Sequence, residues 1–132
     1  MKIVVCKDYD DVSRVIAEKV VEQIRKKPNL VFCLPAGNSP IGMYKYLVQM
    51  YKEGKADFSQ LRTFDMDEYA GLTPDDSHSF IYFMHQHFLD HVNINMDNVR
   101  YPKADAADLD AECKKYAQEI IDAGGLDIAI TS

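Results

Sequence analysis

Short apolar runs alternate with longer amphipathic ones along the chain. Residues 3–6 are β-branched apart from the closing Cys6, the pattern of a buried strand. Asp8 and Asp10 can cap a helix beginning just after them. Val12, Val15, Ile16, Val20 and Ile24 then recur at helical spacing, with Glu18, Lys19, Glu22 and Arg25 between them. Lys26, Lys27 and Pro28 end that helix. Residues 30–34 predict a second buried strand. Ser39-Pro40 predicts a helix start, Ser as N-cap and Pro in the first turn. This helix carries Met43, Tyr44, Leu47 and Met50 and fades near Gly54.

A third strand is expected at about 60–66, followed by a loop with Gly71 and Pro74. Ser77 or Ser79 then opens an aromatic-rich helix running to about His91. A short strand is expected at 99–101, ahead of Pro102. Residues 107–123 predict a helix with Leu109, Cys113, Tyr116, Ile120 and Ile121 as its apolar stripe. Gly124-Gly125 stops it, and 126–130 predict a last strand. Alternation of this kind marks βαβ units. The expected fold class is α/β, a doubly wound, mostly parallel, Rossmann-like sheet with helices on both faces. Residues 1–132 read as one part of a single domain. The end at Ile130-Thr131-Ser132 reads as a cut, because a parallel strand in this class feeds a further loop and helix. A truncated sheet would expose an edge, so self-association into a homo-oligomer is expected.

An apolar content of 47% supports a buried core. The net charge of -6 and the lack of a basic stripe argue against nucleic acid as a partner. A small anion is still accommodated, since a few local amides can hold one phosphate. Three cysteines, Cys6, Cys33 and Cys113, make a poor disulfide framework, and Cys6 and Cys33 read as buried free thiols. No apolar run approaches the ~20 residues of a membrane span, and the N-terminus is too short in its apolar part for a signal peptide. A cytoplasmic protein is expected.

Ligands in open α/β sheets bind beyond the carboxyl ends of the strands. Leu34-Pro35-Ala36-Gly37-Asn38-Ser39-Pro40 lies there, after the second expected strand. Gly37 permits close backbone approach or positive φ. Asn38 and Ser39 offer side-chain donors, and the following helix offers amides and the positive end of its dipole. The loop is neither a Walker A nor a dinucleotide fingerprint. It reads either as an anion cradle or as a well-capped strand-to-helix turn.

Thr63-Phe64-Asp65-Met66-Asp67-Glu68-Tyr69 places three carboxylates at the same expected sheet edge. Alternation along a strand would set Asp65 and Asp67 on one face. Three readings stand open: a general base beside a sugar carbonyl, a divalent-metal pair, and solvated acids capping the next segment. His78, His85, His87 and His91 cluster further on, and His87 and His91 have a permitted metal spacing on a helix. No Glu follows His87 as in a zinc-protease helix, so the favoured account is an amphipathic helix with Phe80, Phe83, Met84 and Phe88 in the core. His78 and Ser79 lie near enough to the acidic loop to touch a ligand.

Together these stretches resemble the glucosamine-6-phosphate deaminase (isomerase) family. The resemblance rests on 34–40, on Phe64-Asp65-Met66-Asp67-Glu68-Tyr69-Ala70-Gly71-Leu72, on Ser79-Phe80 with Phe83-Met84-His85, on 88–92, and on 108–113 with Tyr116. It implies ring opening of an amino-sugar 6-phosphate, transfer of the C2 proton to C1 by a carboxylate, and loss of ammonia to give fructose 6-phosphate. Asp67 matches that carboxylate. Ala36, Gly37, Asn38 and Ser39 match the phosphate loop, with Asp65 and Glu68 as further substrate-binding positions. No metal or organic cofactor is implied, and the partner is a small-molecule amino-sugar phosphate. The family's Asn-Asp-Gly-His element and its later Arg and Lys are not found in the sequence, so little turnover is expected of these residues alone. Ala-Gly-Asn-Ser stands where the family typically has Thr-Gly-Gly-Thr. Related galactosamine-6-phosphate isomerases share the scaffold, as do 6-phosphogluconolactonases, which match the Met-Asp-Glu-Tyr stretch less well. A non-catalytic phosphosugar-binding module is the remaining alternative.

Overall fold

The computed structural model describes residues 2–131. Asp8 caps α1 (Tyr9–Lys26) by accepting the Asp11 N–H at 2.9 Å. The α1 face of Ala17, Val20, Val21 and Ile24 is buried. Next come β1 (Val31–Leu34), buried throughout, and α2 (Ile41–Lys52), which buries Met43, Tyr44 and Leu47. The β2 strand is Arg62–Asp65. Ser79 caps α3 (Phe80–His87) by accepting the Tyr82 N–H. The chain then forms β3 (Val99–Arg100), α4 (Leu109–Asp122, capped by Asp108) and β4 (Ile128–Ala129).

The strands are parallel and ordered β3-β2-β1-β4. Chain order therefore reverses between β1 and β4, which defines a topological switch point. Strand alternation sends neighbouring side chains to opposite layers. Phe32 and Leu34 join the α1, α2 and α3 residues in the main core, while Val31 and Phe64 pack on Tyr116 of α4. The expected α/β sheet with helices on both faces is thus observed.

Four expectations need correction. Residues 2–6 form no strand, and Ile3 and Val5 are 76% and 92% exposed. A β-branched run becomes a strand only beside a hydrogen-bonded neighbour, and none of the four strands lies along it. Accordingly Cys6 is half-buried, Cys33 is buried and Cys113 exposed. Ser39 does not cap α2, which starts one residue late and has no side-chain cap from its own N-cap residue. The aromatic helix stops at His87 instead of His91. Phe88 swings fully into the core, stacked on Tyr44 at 5.5 Å and edge-on to Phe58 at 5.3 Å, and its backbone leaves the helix. His87 and His91 therefore do not share one helix face. Finally, the stripe of α4 is buried only at Tyr116, with Leu109 and Ile121 41% and 66% exposed.

Candidate functional site

The carboxyl ends of β1 and β2 deliver two loops to one edge. Beyond β1, Pro35 and Pro40 are buried and fix the ends of an exposed arch formed by Gly37, Asn38 and Ser39. Gly37 takes φ +103°, a conformation costly for residues with a Cβ. Beyond β2, the chain turns outward at Met66 and Asp67, both exposed. A cleft of about 330 Å³ is lined by Pro35, Ala36, Gly37, Met66, Asp67, Tyr69, Phe80 and Thr131. It lies at the switch point, with Thr131 coming from the end of β4. Tyr69 and Phe80 wall it with ring centroids 4.6 Å apart and planes tilted by 42°, an aromatic corner that offers apolar surface to a ligand.

Of the residues expected from sequence, Ala36, Gly37 and Asp67 meet in this cleft. Asn38 does not line it. Ser39 lines a separate apolar groove of about 280 Å³ on the α1 side of the loop, with Tyr9, Val12 and Met43 among its neighbours. Asp65 and Asp67 do not share a face. β2 ends at Asp65, so the two-residue alternation is broken, and Asp65 is 2% exposed while Asp67 faces solvent. A chelating pair is thereby excluded. Among the described residues no three of His, Cys, Asp and Glu converge as a metal-holding cluster.

Asp65 lies in the main core layer beside Thr63, and neither its carboxyl oxygens nor the Thr63 hydroxyl has a hydrogen-bond partner among the described residues. Burial pushes the Asp65 carboxyl well above its ordinary value, and the Glu68 and Asp67 carboxylates add to the effect. Burial thus disfavours the ionised form of Asp65, and its backbone carbonyl accepts the Tyr116 hydroxyl at 2.7 Å. Burial, with Asp65 next, also raises Tyr116 and Cys33 above their ordinary values.

Glu68 is half-buried and turned away from the cleft. Its carboxylate accepts the backbone N–H of Tyr69 at 2.8 Å, of Phe80 at 2.9 and 2.8 Å, and of Ile81 at 3.1 Å. It holds the first turn of α3, where a carboxylate is favoured by the free amides and the dipole. A ligand role for Glu68 would leave those amides unmatched. The histidines are likewise engaged locally: His85 Nδ1 lies 2.7 Å from Asp90, His91 Nε2 lies 2.8 Å from the Gln86 carbonyl, and His87 packs on Phe83. His78 pairs with Asp76 at 3.0 Å and does not line the cleft.

Sequence reasoning missed the walls, Tyr69, Phe80 and Thr131. The signal available was the placement of Tyr69 directly after the acidic run and of Phe80 directly after a cap. Thr131 gave none, because its position depends on β4 crossing to the far side of β1.

The model of the family described as glucosamine-6-phosphate isomerases/6-phosphogluconolactonase matches residues 8–130. A glucosamine-6-phosphate deaminase of Thermoanaerobacter sp. (strain X514) is 48% identical over 130 residues, which are 98% of this chain and 51% of the relative. Among solved structures, one described as a monomeric glucosamine-6-phosphate deaminase aligns with a TM-score of 0.95 and 32% identity, over 98% of this chain and 54% of that one. A 6-phosphogluconolactonase from Thermotoga maritima shares the fold, with a TM-score of 0.76 and 22% identity, over 96% of this chain and 56% of that one. The chain thus spans about half the length of the relatives it matches.

Proposed function

Because the chain belongs to the glucosamine-6-phosphate isomerase/6-phosphogluconolactonase family, we propose that its cleft serves the conversion of glucosamine 6-phosphate to fructose 6-phosphate and ammonia. One observation carries this reading: Asp67 and the Ala36-Gly37 backbone line the same cleft. The amides of the 36–39 loop hold the phosphate, with the positive end of the α2 dipole behind them. The Tyr69–Phe80 wall supports the sugar. Asp67 breaks the C2–H bond, carries the proton, and delivers it to C1. Water then adds at C2 and nitrogen leaves as ammonia. The burial that disfavours charge on Asp65 suits this arrangement. A second ionised carboxyl beneath Asp67 would repel both Asp67 and a phosphate dianion. The remaining groups for ring opening and for clamping the phosphate belong to the half of the family fold that these residues do not span.

The test is a product assay on the purified protein with glucosamine 6-phosphate and with 6-phosphogluconolactone. Ammonia and fructose 6-phosphate in equal amounts from the first substrate support the reading. Lactone hydrolysis without ammonia release would transfer the site to the lactonase branch. Tight binding of the amino sugar with no turnover, persisting when the other half of the family fold is supplied, would make it a phosphosugar-binding module.

A further inference from the structure

Tyr9, the first residue of α1, reaches the start of α2. Its hydroxyl accepts the Gly42 N–H at 2.9 Å and lies 3.0 Å from the Ser39 carbonyl oxygen and 3.2 Å from that of Asn38. A phenol has one proton to donate and lone pairs to accept. Here both capacities are used on the loop and on the helix after it. The spacing of Ser39-Pro40 assigns the α2 amides to Ser39, and Tyr9 satisfies one of them instead.

Two further observations make this contact structural rather than incidental. A Cβ on Gly42 would come within 2.2 Å of the Ser13 Oγ and 3.1 Å of the Tyr9 ring, so glycine at this position is what lets the ring in. Around Gly37, by contrast, there is nothing within 4 Å of where a Cβ would stand, so no close contact braces the arch on that side. Besides the 3.4 Å contact of the Ile41 N–H with the Asn38 carbonyl, the arch is tied by Tyr9. A peptide unit is planar and trans, so its C=O and N–H point in opposite directions. Holding the Asn38 carbonyl toward Tyr9 aims the Ser39 N–H away from α1.

We propose that Tyr9 is a positioning residue for the 36–39 loop, its hydroxyl fixing the loop carbonyls on the α1 side so that the Ser39 amide stays presented to a phosphate. The inference rests on the reading of that loop as the phosphate holder. It also specifies that the ligand phosphate does not take the Gly42 N–H, which Tyr9 occupies.

The test compares the whole chain with its Tyr9→Phe variant, which keeps the ring and loses one oxygen. Two readouts are needed: amide exchange at Gly42 without ligand, and affinity for inorganic phosphate and for glucosamine 6-phosphate. Faster exchange confined to Gly42 and its neighbours, with binding weakened about five- to tenfold, is expected from losing hydrogen bonds of about 1 kcal/mol. Val12→Ala, in the same groove without a polar atom, should leave both unchanged. Unchanged affinity in Tyr9→Phe overturns the proposal. Tighter binding does so too, since it would make Tyr9 a competitor for the Gly42 N–H. If the unaltered chain binds neither ligand, the phosphate reading fails and the proposal with it. Binding by the unaltered chain that Tyr9→Phe leaves intact sinks the proposal alone.

Discussion

Glu68 and Phe80 are joined across the loop between β2 and α3, the carboxylate oxygens lying 2.9 and 2.8 Å from one backbone nitrogen. The same carboxylate serves Tyr69 and Ile81, so it is the main fastening of that loop to the helix. Glu68→Ala should lower unfolding stability by about 1–3 kcal/mol, the range for stranding partly buried donors. Urea denaturation measures it. A loss of sugar-phosphate affinity with unchanged stability would instead put Glu68 in the ligand site.

Asp65 gives a pH prediction. Its folded-state value is raised by burial first, then by Glu68 and Asp67. A raised carboxyl contributes its full stability below its unfolded value, and that contribution is lost as pH rises from about 4 toward the folded value. Asp65→Asn mimics the neutral acid and does not titrate. The variant should therefore gain on the unaltered protein as pH climbs above about 4, and the two should converge in acid. Melting curves at several pH values check this, and a variant less stable near neutrality would mean that Asp65 carries a charge that is matched.

Asp67 is exposed, and its side chain makes no hydrogen bond or ion pair among the described residues. Asp67→Asn should leave the melting temperature within error and cut ammonia release about 10²-fold or more, the usual worth of a positioned base. Binding of the sugar phosphate should persist. Turnover within a few-fold of the starting protein would remove Asp67 from the proton-transfer step.

The crossing of α1 and α2 is tight at one point. Gly42→Ala would drive a methyl group to 2.2 Å from the Ser13 Oγ and 2.8 Å from its Cβ. Overpacking of this kind costs about 1–3 kcal/mol. Adding Ser13→Gly should recover part of the loss, which a double-mutant cycle in denaturant would report.

What could be read from sequence was what local chemistry determines. The buried stripe of α1, its Asp8 cap, the strand before Pro35 and the Ser79 cap each depend on residues within one or two turns. The losses were all long-range. Residues 3–6 have strand composition but no neighbour to pair with. Tyr9 satisfies Gly42 from 33 positions away, displacing Ser39 from the role its spacing suggested. Glu68 reaches amides 12 and 13 positions on. Asp65 looked equivalent to Asp67 until β2 ended between them. Residue chemistry marked the loop and the 65–68 acids as candidates and the family resemblance singled out Asp67, but their common cleft needed the sheet.

Leu34 and Asp65 are paired in the ladder between β1 and β2. The gap between the phosphate-side loop and the Asp67 side is therefore measured out by main-chain atoms, with adjacent strands about 4.8 Å apart. No side chain sets this ruler, so substitution cannot easily rescale it. Loop residues such as Asn38 and Ser39 can vary while the reach from the proposed anion site to the proposed base stays constant. On the proposed function, selectivity among phosphorylated sugars can then drift through the arch and the cleft walls, on a baseline the backbone keeps fixed.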